Sequence, residues 1–472
     1  MTSADDLAAH AVSPAPPTAR RDRSWPTVVG ATLVLGVLVF VVVPHSPWPF
    51  WSLLFFRDYP WPLQLAFVLA PAVLTVGLGR AVTVAARRIP ARVPGTRATA
   101  LLSMALASLA VFWLLRERRH WGDAAYTIDI LEGRADVGPL GRYFWKEPLD
   151  RLLSVLFTSA GRSLLGWGAE SSVALMSALA GSAFVVALWL ASARLGRTGP
   201  GRLFAFGLTL SMGASQLFFG HVENYTLVTL LMMMFFREGL EALTTGGSWI
   251  PVWLWAAVAV TAHPLASFLI APLLALPLLR ESPPTPVALR RFAFAALPGL
   301  AYLGLFYAFC RALGALPLEI GVNRFGEASP VFLGLSEALS ARHLWDVAQN
   351  YLLTLPAGAL VVLLQGRRER EDAGRRDAAS VFLGVAALSF LVFSLFMHGI
   401  LRRRRDWDLF APAALPVALL AARLLAGRLE RGRSTPLLAF FLVLFSLAVS
   451  GPWIVSNWLD RPAASAALFG RD

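Results

Sequence analysis

Runs of about 20 mostly apolar residues, enough to cross a hydrocarbon core as a helix, recur along the whole chain between short polar turns. Thirteen such segments can be read, near 26–43, 62–79, 98–115, 171–193, 203–220, 225–240, 249–262, 264–280, 292–310, 347–365, 379–400, 409–427 and 436–454. The pattern predicts an all-α, polytopic membrane bundle with a single transmembrane domain over 25–472, behind an Ala- and Pro-rich polar tail at 1–24. Several segments carry Gly or Pro, which membrane bundles tolerate because neighbouring helices satisfy the freed backbone groups. The pair 249–262 and 264–280 reads either as a hairpin broken at His263-Pro264 or as one long kinked segment. No repeat of 20–50 residues is visible.

Arginines in the turns set the direction. Arg20, Arg21 and Arg23 in the tail share a side with Arg80, Arg87, Arg88, Arg92 and Arg97. Later on that side come Arg194, Arg197 and Arg202, then Arg280, Arg290 and Arg291, and finally Arg367, Arg368, Arg370, Arg375 and Arg376. That side is expected to be the cytoplasm, with the N-terminus inside and the C-terminus outside. The first apolar segment lacks a clear small-residue cleavage site and reads as a retained anchor. Two longer segments, 116–170 and 311–346, fall outside and leave room for chemistry only in the bundle or on its outer rim.

Composition agrees: 57% of the 472 residues are hydrophobic and 15% charged, against about 45–50% and about 25% in soluble domains. A soluble enzyme, a disordered scaffold and a disulfide-rich module are excluded. The net charge of +13 would suggest nucleic acid on a soluble protein. Divided by side, the whole excess falls on the cytoplasmic segments, so it is a topology signal and no nucleic-acid partner is expected. Cys310 is alone, which excludes an intrachain disulfide and a cysteine metal site.

The first outer loop carries the most chemistry. Asp123 opens a short predicted helix to Glu132, with Gly133 suited to a left-handed C′ position. Asp123 is either the N-cap of that helix or a reactive carboxylate. Lys146 is the chain's single lysine among 42 basic residues. It reads either as a chance survivor of an arginine-rich composition or as a point charge for a phosphate. The segment from Leu149 to Gly168 reads as an amphipathic interfacial helix.

Other polar groups cluster at the same rim. Gly220-His221-Val222-Glu223-Asn224-Tyr225 offers Glu223 as a second carboxylate, His221 as a partner for a sugar hydroxyl, and Tyr225 as an interfacial anchor or a substrate- or carrier-binding residue. Capping by Asn224 is the plainer alternative. His263 stands at another outer turn, where it either joins the same substrate- and carrier-binding cavity or is structural. Arg402, Arg403, Arg404 and Arg405 lie outside against the positive-inside rule, followed by Asp406, Trp407 and Asp408. Guanidinium groups there fit a lipid-linked phosphate, with Asp406 and Asp408 orienting them and His398 one turn earlier.

The order of these features resembles the GT-C superfamily of membrane glycosyltransferases, in particular the branch with protein mannosyltransferases and aminoarabinose transferases. The residues that carry it are Gly122-Asp123, then Lys146-Glu147-Pro148-Leu149 leading into an amphipathic helix, a span, and the basic turn Ala193–Arg197. Two spans precede the loop beyond the family pattern, Asp123 has no adjacent second acid, and Glu147 replaces the first proline of a Lys-Pro-Pro-Leu-like sequence. The resemblance implies that Asp123 is the acid–base residue and that Lys146 lies near the phosphate of a polyprenyl carrier. It implies sugar transfer from a polyprenyl-phosphate-linked donor to a lipid, glycan or protein acceptor. The reaction would occur at the outer face of a bacterial plasma (inner) membrane. No metal ligand set is assigned, no cofactor is required, and a divalent cation stays open. A lipid-linked sugar flippase or transporter, and a ligase or polymerase of O-antigen type, are the alternatives.

Overall fold

The computed structural model describes residues 24–42, 51–88, 98–118, 120, 123–134, 146–281, 284–313, 331–366, 377–398, 406–430 and 436–459. Arg402, Arg403, Arg404 and Arg405 lie outside the described residues. Within them the regular elements are helices, and Phe332 and Met397 form an isolated antiparallel bridge.

Among the described residues, six helices are long and apolar enough to cross a membrane: Trp61–Ala86, Ala169–Leu195, Pro286–Ala312, Ala378–Phe396, Trp407–Glu430 and Pro436–Trp458. Four shorter apolar helices, Pro26–Val42, Ala98–Leu114, Ile250–Ala262 and Pro264–Arg280, pack among them. Ala169–Leu195 stands at the centre, touching Ala98–Leu114, Pro148–Leu165, Gly199–Leu210 and Tyr225–Thr245. Its sequence explains the placement. Ala, Ser and Gly dominate, and helices in lipid associate through such small residues because their backbones approach closely. A Cβ on Gly181 would sit 2.4 Å from the Phe218 side chain. Peripheral helices show the reverse: Trp61–Arg88 leaves Leu63, Leu69, Val73 and Val76 exposed on its outer face.

Three segments depart from the expected spans, each for a local reason. The stretch 203–220 is not one helix. Gly199–Leu210 ends, and a 3-10 turn at Gly213–Phe218 follows. Gly213 passes so close to Leu353 that a Cβ there would meet its carbonyl oxygen at 1.9 Å. The stretch 347–365 divides into Ala341–Thr354 and Pro356–Gly366. Pro356 has no N–H to donate and disfavours the helical region for Leu355, which adopts φ −148°. A 3-10 helix at Trp51–Asp58 was not anticipated, being too short for a span. It is anchored by Phe55 against Trp453 at 5.5 Å and by the Tyr59 hydroxyl donating to the Pro452 carbonyl at 2.6 Å. The junction at His263-Pro264 resolves as Ile250–Ala262, a 3-10 turn Pro264–Leu269 and Ile270–Arg280.

Antiparallel helices define two ends of the bundle. Tyr225–Thr245 turns through Gly246 (φ +76°) into Ile250–Ala262, which returns His263 to the level of Tyr225, their rings 5.2 Å apart. The Asp123 helix, the start of Ala169–Leu195, Tyr225 and His263 share one end. Gly246, Arg280 and the Arg194–Glu241 ion pair share the other.

Candidate functional site

The short helix predicted from Asp123 is present as Ala124–Leu131, and Gly133 follows at φ +74°. Ala124, Ile128 and Leu131 fix it against Ala169, Val173, Met176 and Val222. Asp123 occupies the N-cap position but its side chain makes no capping bond. Glu223 caps the helix from a distance instead: its Oε1 accepts the Asp123 N–H at 2.6 Å and the Ala124 N–H at 3.1 Å. An acidic side chain suits the positive end of a helix, and here Glu223, not Asp123, supplies it. Asn224 likewise precedes its helix without a side-chain cap bond, and its side chain bonds Glu147.

His221 is fully buried and held on both sides. Nδ1 lies 2.7 Å from Glu117 Oε1, and Nε2 lies 3.1 Å from Asp408 Oδ2. His221, read from the sequence as a partner for a sugar hydroxyl, has both ring nitrogens engaged by carboxyl groups. Gly220 makes the turn possible, at φ +73° with the site of a Cβ 2.7 Å from Arg116 Cβ. Burial alone would lower the imidazole pKa, but Glu117 and Asp408 raise it to about 10. His221 is thus an imidazolium at neutral pH. Gln216 Nε2 donates to the second Glu117 oxygen at 2.9 Å, and the Leu409 N–H donates to Asp408 Oδ1 at 2.9 Å. Asp408, expected to orient arginines, bridges His221 to Glu223. Burial first, then the charges of Asp408 and Asp123, push Glu223 well above the usual carboxylate range. Two carboxyl groups in contact share a proton, since both cannot ionise cheaply. The chain of contacts runs Glu117, His221, Asp408, Glu223.

A second acidic group adjoins the first. Glu147 precedes the helix Pro148–Leu165, with Pro148 at its first turn. His263 Nδ1 accepts the Leu265 N–H at 3.0 Å, which assigns the proton to Nε2, 3.5 Å from Glu147 Oε1. Burial lowers the His263 pKa to about 3, so the ring is neutral. Burial raises Glu147 to about 7, against the pull of Arg151, Asn224 and Lys146, and Asp123 adds to the rise. Asp150 is likewise raised to about 7, by burial. The helix turns its polar side inward: Asp150, Arg151, Ser154 and Thr158 are buried while Leu156, Leu164 and Leu165 are exposed. Asp150 Oδ1, Arg151 Nη1 and Thr158 Oγ1 have no hydrogen-bond partner among the described residues.

The structure therefore gathers Asp123, Lys146, Glu147, Glu223, Tyr225, His263, Asp406 and Asp408 at one end of the bundle. Glu117 and Asp408 were missed as partners of His221, because 104 and 187 residues separate them from it. Glu147 was noticed only as a departure from a motif. His221, Glu223 and Asp408 each offer one ligand atom within 4.8 Å of the others. One nitrogen and two carboxylate oxygens could hold a divalent cation in place of the shared protons.

No protein-family model matches the chain, and no curated protein matches it in sequence. Solved structures do match. The apo crystal structure of ArnT from Cupriavidus metallidurans aligns with a TM-score of 0.54 at 14% identity, over 77% of this chain and 78% of that one. The structure of the same protein bound to undecaprenyl phosphate aligns with a TM-score of 0.53 at 15% identity, over 78% of this chain and 80% of that one. This chain thus has the fold of that ArnT over 77% of its length.

Proposed function

We propose that the protein is a GT-C-type membrane glycosyltransferase that moves a sugar from a polyprenyl-phosphate-linked donor to an acceptor hydroxyl at the outer face of a bacterial inner membrane. One observation carries this reading: Asp123 and Lys146 both lie near enough to Glu147 to act on its charge, at one end of a bundle with an ArnT-like fold. The neighbouring ArnT structure that holds undecaprenyl phosphate supports a donor of that class.

The residues divide the labour. Asp123 takes the proton from the acceptor hydroxyl as its oxygen attacks the anomeric carbon. The bond from that carbon to the carrier phosphate oxygen breaks, and the carrier departs as its phosphate. A phosphate leaves without a protein acid but needs its charge held, which assigns Lys146 to it. Glu223 fixes the Asp123 main chain, and the Glu117–His221–Asp408 chain fixes Glu223. A divalent cation at His221, Glu223 and Asp408 would add positive charge to the same end. The acceptor is a lipid, glycan or protein.

A transporter or flippase would place ionisable groups near the middle of its spans. Here Glu117 follows Ala98–Leu114, His221 and Glu223 precede Tyr225–Thr245, and Asp408 opens Trp407–Glu430. Groups at helix ends favour chemistry at a rim.

The test uses membranes carrying wild type or Asp123→Asn, supplied with a polyprenyl-phosphate-linked sugar. Mass spectrometry of the lipid extract should show carrier phosphate released by wild type and a loss of about 100- to 10,000-fold in the variant. Wild-type turnover by a folded Asp123→Asn protein would remove Asp123 as the base.

A further inference from the structure

The opposite end of the bundle holds a cavity that sugar transfer does not use. About 530 Å³ opens between the turn Gly247–Trp249, Arg280 at the end of its helix, and the short helix Pro286–Phe294. Arg280 is held in place: Nη1 donates to the Gly247 carbonyl at 3.0 Å, Nη2 donates to the Gly246 carbonyl at 2.9 Å, and the guanidinium lies 4.8 Å above the Trp249 ring. Arg290 and Arg291 line the same cavity and are exposed, and among the described residues neither side chain makes an ion pair or hydrogen bond. Glu281 is the one acid on the wall, so three arginines leave the lining net positive.

The rest of the short helix is apolar. Val287, Leu289 and Phe294 are exposed on the element that carries these two arginines. Thr285 caps it by accepting the Ala288 N–H at 3.1 Å, and Pro286–Ala312 is long and apolar enough to cross the membrane. The cavity thus stands where a span enters the bilayer, with cations and bare hydrocarbon side by side. Guanidinium groups match phosphate oxygens in geometry, and basic pockets between membrane helices hold anionic headgroups.

We propose that this cavity binds the phosphodiester headgroup of an anionic phospholipid, with Arg280, Arg290 and Arg291 on the phosphate and Val287, Leu289 and Phe294 along the acyl chains. Charge complementarity selects an anionic lipid over a zwitterionic one. The apolar helix selects a lipid over free phosphate. The site lies about one span away from Asp123 and is independent of sugar transfer.

The experiment is native mass spectrometry of the full chain in detergent, titrated with cardiolipin. Wild type should retain cardiolipin in preference to phosphatidylcholine, and millimolar inorganic phosphate should not displace it. Arg290→Ala with Arg291→Ala should weaken retention by roughly 10- to 30-fold. Both residues are exposed, so the variant should fold with an unchanged thermal midpoint. Arg197→Ala removes another exposed arginine at this end and should leave retention as it was. Undiminished retention in the double variant, an equal loss in Arg197→Ala, or displacement by inorganic phosphate would each overturn the proposal.

Discussion

The two ends of the bundle carry charge in opposite ways. At the Arg280 end, acids meet arginines directly. Arg194 Nε donates to Glu241 Oε2 at 2.6 Å, and Arg423 Nη2 lies 2.7 Å from Asp377 Oδ2. Burial alone would raise Asp377, but Arg423 brings it below the usual carboxylate range. At the Asp123 end arginines pair with the exposed acids Asp129 and Glu132, and the buried acids meet one another. Glu147 and Asp150 sit near 7, Glu223 is pushed well up, and one imidazolium joins Glu117 to Asp408. Matched pairs hold helices together, whereas a buried surplus of like charge costs stability. Such a surplus collects where a protein has chemistry to perform.

Removing the centre of the acidic group should have the largest effect. Asp408→Ala leaves the His221 cation and Glu223 without their common partner, in a place where both His221 and Asp408 are buried. Breaking a buried pair from one side costs about 3–5 kcal/mol, and thermal unfolding in detergent should show it. A loss below about 1 kcal/mol would mean that the chain of charges is not a structural unit. Lys146→Ala tests the chemistry of the same end. The apparent KM for the polyprenyl-phosphate donor should rise about 10- to 100-fold with kcat little changed, as for one lost charge-assisted bond. An unchanged KM would separate Lys146 from the carrier phosphate.

The smallest effect is the most direct comparison of the ends. Glu147 has a raised pKa, so between about 4.5 and about 7 the native protein binds a proton that the unfolded chain has lost. Its contribution to stability therefore falls as pH rises through that window. Asp377 has a lowered pKa, so its contribution is present above the unfolded value and lost as pH falls through the folded one. Glu147→Gln should gain stability relative to wild type as pH rises from 4.5 to 7, by on the order of 2 kcal/mol. Asp377→Asn, at a half-exposed pair, should lose about 1 kcal/mol near neutral pH and nothing at strongly acidic pH. Parallel profiles for the two variants would erase the contrast between the ends. His263, lowered to about 3, works against Glu147 below 6.5, which is why each variant is read against wild type.

Much of the scaffold could be read before any coordinates. The segment 171–193 corresponds to Ala169–Leu195, and the helix expected after Asp123 is there with Gly133 behind it. The His263-Pro264 junction separates two helices. What failed did so at particular backbones. Gly213 breaks a hydrophobic run because Leu353 lies against it, and Trp51–Asp58 is helical because Trp453 and Pro452 receive its aromatic side chains.

The amino-acid sequence by itself determined the solvent, the class of fold and the separate candidates. Apolar run lengths, arginine placement and helix-end residues are local, and their physics acts within a few residues. Only the tertiary structure decided what the candidates do to one another. Asp123 was ambiguous between cap and catalyst until Glu223, 100 residues away, was seen to take the capping role. His221 looked like a free sugar contact until Glu117 and Asp408 were found on its two nitrogens. Desolvation and contact between charges depend on burial and on distances of about 3 Å. Neither is written in the order of residues along the chain.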